Sequence, residues 1–155
     1  MKKIKLTQDK YALVDDEDFE SLSKWKWRFG HGYARRDIKI GGRRTIYMHR
    51  QIIGAKKGMC TDHKDHNGLN NQRNNLRLCT VSQNMCNRRH LKRKKFTIFR
   101  GVRMDRRTLK WNAVISKDGV TRYIGSFKSD IEAAMAYNKY AKKIHGEFCI
   151  LNKIK

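Results

Sequence analysis

Apolar positions change period along this chain, and the changes mark out its elements. Tyr11-Ala12-Leu13-Val14 reads as a short strand ending in an acidic turn, Asp15 to Asp18. Phe19, Leu22, Trp25 and Trp27 then continue through a short helical or extended stretch. Tyr33-Ala34-Arg35 and Thr45-Ile46-Tyr47-Met48 flank Gly41-Gly42, which predicts a hairpin with a two-residue loop at positive φ. His49 to Ile53 predicts a short helix ended by Gly54. Asp62 to Arg77 carries five Asn and one Gly but little apolar content, so side-chain hydrogen bonds must hold it as a loop. Thr80 to Arg89 predicts a helix with Thr80 or Ser82 as its cap.

From Thr97 the pattern becomes β alternation. Trp111, Ala113 and Ile115 fall on one face, and Asn112, Val114 and Ser116 on the other. Asp118-Gly119 predicts a hairpin turn into Val120 to Phe127. Ser129 and Glu132 form a capping box, opening a helix with Ala134, Tyr137, Ala141 and Ile144 on one stripe. Lys142, Lys143 and His145 suit the negative end of that helix dipole, and Gly146 can end it.

Charge changes the picture most. Lys and Arg number 37 against 14 Asp and Glu, a formal charge of +23. That excess points to a polyanionic partner. Six of the acids lie in the first twenty residues, so Asp62 and Asp65 stand out in a basic setting. His90 to Lys95 holds Lys92, Arg93, Lys94 and Lys95 without a core residue pattern, which reads as a linker along a phosphate backbone or a solvated charge run. No stretch is apolar enough to span a membrane and the first residues lack a signal-type apolar block, so an intracellular protein is expected. Cys60, Cys79, Cys86 and Cys149 have no CxxC spacing. Free thiols are favoured over a zinc site built from Cys60, Cys79, Cys86 and His90.

The chemistry-bearing set is Asp62-His63, with Asn75 in the Asn-rich loop and Asn84 on the following helix. It pairs a carboxylate with an imidazole and adds a later oxygen ligand, the set that one-metal phosphodiester hydrolysis requires. Met48-His49-Arg50, Asp62-His63-Lys64-Asp65-His66-Asn67-Gly68-Leu69-Asn70-Asn71, Asn75-Leu76-Arg77 and Gln83-Asn84-Met85-Cys86-Asn87 closely resemble the HNH homing endonucleases, typically phage- or intron-borne. Leu13-Val14-Asp15-Asp16 and Trp25-Lys26-Trp27 look like their N-terminal segment, so the resemblance covers about residues 5 to 90. It implies a ββα-metal unit with His63 as general base, Asp62 and Asn84 as metal ligands, and Asn75 bracing the loop and orienting the imidazole. An Asn at the last motif position implies an oxygen-preferring ion, one Mg²⁺ with Mn²⁺ able to substitute, rather than zinc. His49 is expected to be structural or to support the site from behind. Asp65, His66, Asn87 and His90 are given no firm role; His66 or His90 could touch phosphate, with a plain surface position the commoner outcome for a histidine.

Residues 97 to 152 resemble the apetala-two/ethylene-response DNA-binding domain through Phe99-Arg100-Gly101-Val102-Arg103, Lys110-Trp111-Asn112-Ala113, Tyr123-Ile124-Gly125-Ser126-Phe127, Glu132 to Tyr137, Gly146 and Leu151-Asn152. That family lays a three-stranded sheet in the DNA major groove. The likeness implies base or phosphate contacts from Arg100, Arg103, Arg107, Asn112, Ser116, Thr121 and Tyr123, with Val114 on the same face. The family's usual Glu, Arg and Trp positions differ here, so its target sequence does not transfer.

The expected fold is α+β: an HNH nuclease domain over residues 1–90 with its ββα-metal core at about 46–90, a basic linker at 91–96, and a three-stranded antiparallel sheet packed on one helix over 97–152. The expected activity is metal-dependent cleavage of double-stranded DNA by a monomer without an obligate protein partner, in the cytoplasm of a bacterial host if phage-borne. A non-catalytic DNA-binding regulator on the same scaffold, or an RNA-binding or packaging protein, are the rival readings.

Overall fold

The computed structural model describes residues 1–39, 41–87 and 97–154. These divide into two units, Met1–Val81 and Ser82–Lys155. The basic segment holding His90, Lys92, Arg93, Lys94 and Lys95 lies outside the described residues. Among the described residues, no helix is long and apolar enough to cross a membrane.

In the first unit, β1 (Lys2–Lys5) pairs antiparallel with β2 (Tyr11–Val14). The expected acidic turn is instead the start of a helix, α1 (Asp16–Ser23), with Asp16, Glu17 and Asp18 in its first turn. Acidic side chains there complement the exposed amides and positive end of the dipole, so the charge that suggested a turn favours a helix start. Three strands follow: β3 (Arg28–Gly30), β4 (Tyr33–Lys39) and β5 (Arg43–Tyr47), in the sheet order β3-β4-β5. The β4–β5 hairpin is present, but Lys39 pairs with Arg43, so its connection is one residue longer than the two-residue loop expected. Gly41 and Gly42 both adopt positive φ. A short helix, α2 (Met48–Ile52), leads to the hairpin of β6 (Cys60–His63) and β7 (Leu76–Cys79).

The core of this unit gathers Ile4, Ala12, Val14, Leu22, Trp27, Ala34, Met48 and Leu76. Trp27 buries its ring yet satisfies its indole N–H, which donates to the Leu22 carbonyl at 2.8 Å. Ala34 is the inward residue of β4 and is fully buried. Pleat parity therefore puts Tyr33, Arg35, Asp37 and Lys39 on the opposite face.

In the second unit, α3 (Val81–Cys86, all but its first residue) precedes β8 (Val102–Asp105), β9 (Lys110–Lys117), β10 (Val120–Phe127) and α4 (Asp130–His145). The sheet order is β10-β9-β8, and all pairs are antiparallel. Val102, Ala113 and Ile115 face inward against Ala133, Ala134, Tyr137 and Ala141 of α4. The alternation in β9 is therefore a burial pattern. The Asp118-Gly119 turn has positive φ at both residues, as a tight hairpin requires. The Ser129 hydroxyl accepts the Glu132 amide at 3.1 Å, while Glu132 reaches back to the Lys128 amide at 3.2 Å. Gly101 (φ +72°) lies so close to Tyr137 that any Cβ there would fall 2.1 Å from its ring.

Candidate active site

Asp62 and His63 end β6, where both are buried despite being polar. The β6–β7 register sets their surroundings: Asp62 is opposite Arg77, and His63 opposite Leu76. Arg77 donates to Asp62 Oδ2 from Nε at 2.9 Å and from a terminal nitrogen at 2.7 Å. The guanidinium thus offsets the desolvation of a nearly buried carboxylate.

The loop between these strands is organised by its short polar side chains, as its composition predicts. Asp65 accepts the Asn67 amide at 2.8 Å and the Asn70 side chain at 2.8 Å. Asn75 is buried and donates to Asp65 Oδ1 at 3.0 Å and to the Asn70 carbonyl at 2.8 Å, while accepting the Asp65 amide at 3.0 Å. Burial alone would raise the Asp65 pKa, but these donors outweigh it and lower it. The loop is also tied to β2: Leu13 donates to the Leu69 carbonyl and Asn71 donates to the Leu13 carbonyl, both at 2.8 Å.

His63 Nε2 lies 3.2 Å from Asn71 Oδ1. Its ring is 5.0 Å from His49, edge-on, and 5.7 Å from Tyr33. Burial lowers its pKa; the Asn71 bond and the Asp65 and Asp62 charges oppose that shift without cancelling it. The imidazole is thereby kept neutral near neutral pH, the form that accepts a proton. His49 is more extreme. Burial, then His63 and Arg50, hold it down to about 3, and its Nδ1 has no hydrogen-bond partner.

Asp62, His63 and Asn75 thus meet in one loop-and-hairpin unit. Asn75 braces the loop, whereas the side chain hydrogen-bonded to the imidazole is Asn71. Asn84 lies on α3, grouped with the second unit. His66 is exposed with φ +62°, while Asn87 is buried. Cys60 and Cys79 are cross-strand partners, and Cys86 contacts His145 Nδ1 at 3.2 Å.

Among the described residues no three His, Cys, Asp or Glu side chains gather into a metal cluster. A closed zinc cage does not fit that donor set. One buried carboxylate beside a neutral imidazole does fit a hard ion that keeps much of its shell as water and phosphate oxygen.

In the second unit, Arg103, Ser116, Thr121 and Tyr123 are exposed, and the register aligns them with Asn112 and Val114 on the face opposite the buried Val102 and Ala113. Ser116 and Thr121 join hydroxyls at 2.7 Å. Arg107 is exposed in the β8–β9 turn. The Arg100 guanidinium donates to the Cys86 carbonyl at 2.6 Å, at the end of α3.

Sequence reasoning missed one basic face. Cross-strand pairing sets Arg28 beside Arg35, Lys39 beside Arg43, and Tyr47 beside Arg35 on the outer side of the β3-β4-β5 sheet. Asp37 accepts from both Arg28 and Arg43, yet the Nε atoms of Arg28 and Arg35 are buried without partners. Tyr33 and Tyr47 border the same face and contact His49. The signal was available as cations at alternate positions, Arg35 and Lys39, around Asp37.

A family profile described as HNH endonuclease matches residues 47–86, the segment from the end of β5 through α3. An uncharacterized HNH endonuclease of Acanthamoeba polyphaga mimivirus is 36% identical over 149 residues, covering 93% of this chain and 75% of that protein. No solved structure matches. With the Asp62-His63 hairpin, the Asn-braced loop and this likeness over nearly the full length, the chain belongs to the HNH endonuclease family.

Proposed function

We propose that this nuclease is a metal-dependent enzyme of the homing type that hydrolyses a phosphodiester of double-stranded DNA, with the second unit holding the target. The observation that carries the reading is His63: a neutral imidazole, hydrogen-bonded on one nitrogen, beside the buried carboxylate of Asp62. In this reading His63 takes a proton from the attacking water, a step that contributes about 10²–10⁴-fold. Asp62 supplies a charged oxygen to the cation, and Asn84 a neutral one, the latter assigned by its place in the motif. Asp62 and Asn84 would hold a divalent ion, Mg²⁺ by the hardness of these donors, which would supply positive charge for the 3′ leaving oxygen. Asn75 keeps the loop that presents His63 in shape.

The exposed face of the second sheet, with Arg103, Asn112, Val114, Ser116, Thr121 and Tyr123, suits the width of the major groove, in the manner of the apetala-two-like domain it resembles. Arg107 and the basic run Lys92 to Lys95 supply phosphate contacts, and the Arg28–Arg35 face adds cations in the nuclease unit. One site and one sheet suffice for a monomer acting on an asymmetric target inside the cell.

One observation favours the non-catalytic regulator: Asp62 Oδ2 is already engaged by Arg77. Supercoiled plasmid incubated with Mg²⁺ or Mn²⁺, beside EDTA and His63→Ala controls, tells the two apart. Ion-dependent conversion to open circles, lost in the variant while plasmid binding persists, supports the nuclease. Nicking by His63→Ala at the wild-type rate removes His63 from the mechanism. No nicking of DNA from its native locus supports the regulator.

A further inference from the structure

We infer that Asn71 sets which nitrogen of His63 takes the proton: its side-chain oxygen holds Nε2–H, leaving Nδ1 as the basic atom. This rests on the reading of His63 as general base. Asn71 is fully buried, a place where an amide persists only with its hydrogen bonds made. Its two ends face different neighbours. Nδ2 lies 3.4 Å from the Leu69 carbonyl and 3.6 Å from the Met48 sulfur, both of which only accept. The Leu69 carbonyl is fixed in that role, because it also accepts the Leu13 amide at 2.8 Å from β2. Reversing the amide would set oxygen against oxygen on that side, so the acceptor end must face His63.

An acceptor 3.2 Å from Nε2 requires a proton on Nε2. A neutral imidazole carries one N–H, so the Nδ1 lone pair is left available. Nδ1 makes no hydrogen bond to any described residue. Tyr33 and His49 contact the ring and restrain its plane, so the tautomer also fixes where the basic atom points. A chain of contacts therefore runs from the β2 backbone through Leu69 and Asn71 to the base. Asn71 is a positioning residue, and nothing in the motif spacing singles it out from its neighbour Asn70.

The test is the tautomer itself. Long-range ¹H–¹⁵N correlation of the full chain, labelled at histidine and held at about pH 8 where imidazoles are neutral, distinguishes Nε2–H from Nδ1–H. The His63 signals are identified by their loss in His63→Ala. Wild-type protein is expected in the Nε2–H form. Asn71→Leu, which keeps the volume without an acceptor, should show a tautomer mixture and nick about 10²-fold or more slowly, with plasmid binding unchanged. Nδ1–H in the wild type, or Asn71→Leu with tautomer and rate both intact, overturns the inference. Should Asn71→Leu fail to fold, the wild-type spectrum decides alone. A His63→Ala variant that nicks normally defeats the base reading instead, and leaves the tautomer assignment standing.

Discussion

Acidification should destabilise the nuclease unit through one side chain that performs no step of the reaction. His49 is 7% exposed, lacks a partner for Nδ1, and is held down to about 3 by burial, then by His63 and Arg50. In the unfolded chain the same imidazole titrates near 6.5. Between those values the unfolded state binds a proton that the native state refuses. The stability this group contributes is therefore present above about pH 6.5 and is lost as pH falls towards 3. At about 1.4 kcal/mol per pH unit, the drop from pH 7 to pH 5 amounts to roughly 2 kcal/mol from this residue. Urea unfolding of wild type and His49→Phe at the two pH values isolates it, since the phenyl ring fills the space without titrating. The wild type should lose about 2 kcal/mol more than the variant, whatever their absolute stabilities. Equal losses in the two proteins would refute the reasoning.

Arg77→Ala should cost the nuclease unit about 3–5 kcal/mol, because it leaves the buried Asp62 carboxylate without its guanidinium. Pairing it with Asp62→Asn should recover part of that loss in urea melts. Gly101→Ala combines a left-handed backbone with a Cβ 2.1 Å from the Tyr137 ring, and should lower the melting temperature of the second unit far more than Gly119→Ala, where φ is also positive but the space is open. If about 6–10 phosphates are contacted, DNA affinity should fall about 10³–10⁵-fold between 50 and 200 mM salt. Arg103→Ala should weaken binding to the native site in filter-binding assays, and unchanged affinity would remove the sheet face from recognition.

The second unit was the more legible in sequence, because its strands and helix are long enough for period to speak. Trp111, Ala113 and Ile115 alternate with polar neighbours, and burial follows that alternation. The nuclease unit was read through its motif instead. Its strands are short and carry cations: Arg28–Gly30 and Arg43–Tyr47 hold few residues of clear apolar alternation, so β3 and the full length of β4 did not emerge. β1 stayed hidden because Lys2-Lys3-Ile4-Lys5 buries only Ile4. Within the site, Asp62 and His63 stand out as polar residues needing a reason in a strand. Asn71 does not, because its role depends on where the Leu69 carbonyl lies, and that is set by pairing with β2, far away in sequence. The bond from Arg100 to the Cys86 carbonyl was hidden for a related reason: an arginine bound to helix carbonyls and one facing DNA look the same in a basic sequence.

The same contacts that arrange this site also hold it together, and that governs how activity data should be read. Asp62 is oriented by Arg77, Asp65 by three loop asparagines, and His63 by Asn71, so each of these three is held by polar partners. Where such a network is buried, as at Asp62, His63, Asn71 and Asn75, it is worth more than its separate bonds, and removing one member leaves its partner unsatisfied. Loss of nicking on substituting Asn75 or Asp65 would therefore follow equally from a collapsed loop or from lost chemistry. His63 differs, because its imidazole makes one hydrogen bond among the described residues, which leaves the basic nitrogen without a structural task. A His63 variant that melts like the wild type and no longer cuts would carry a meaning that a silent Asn75 variant cannot.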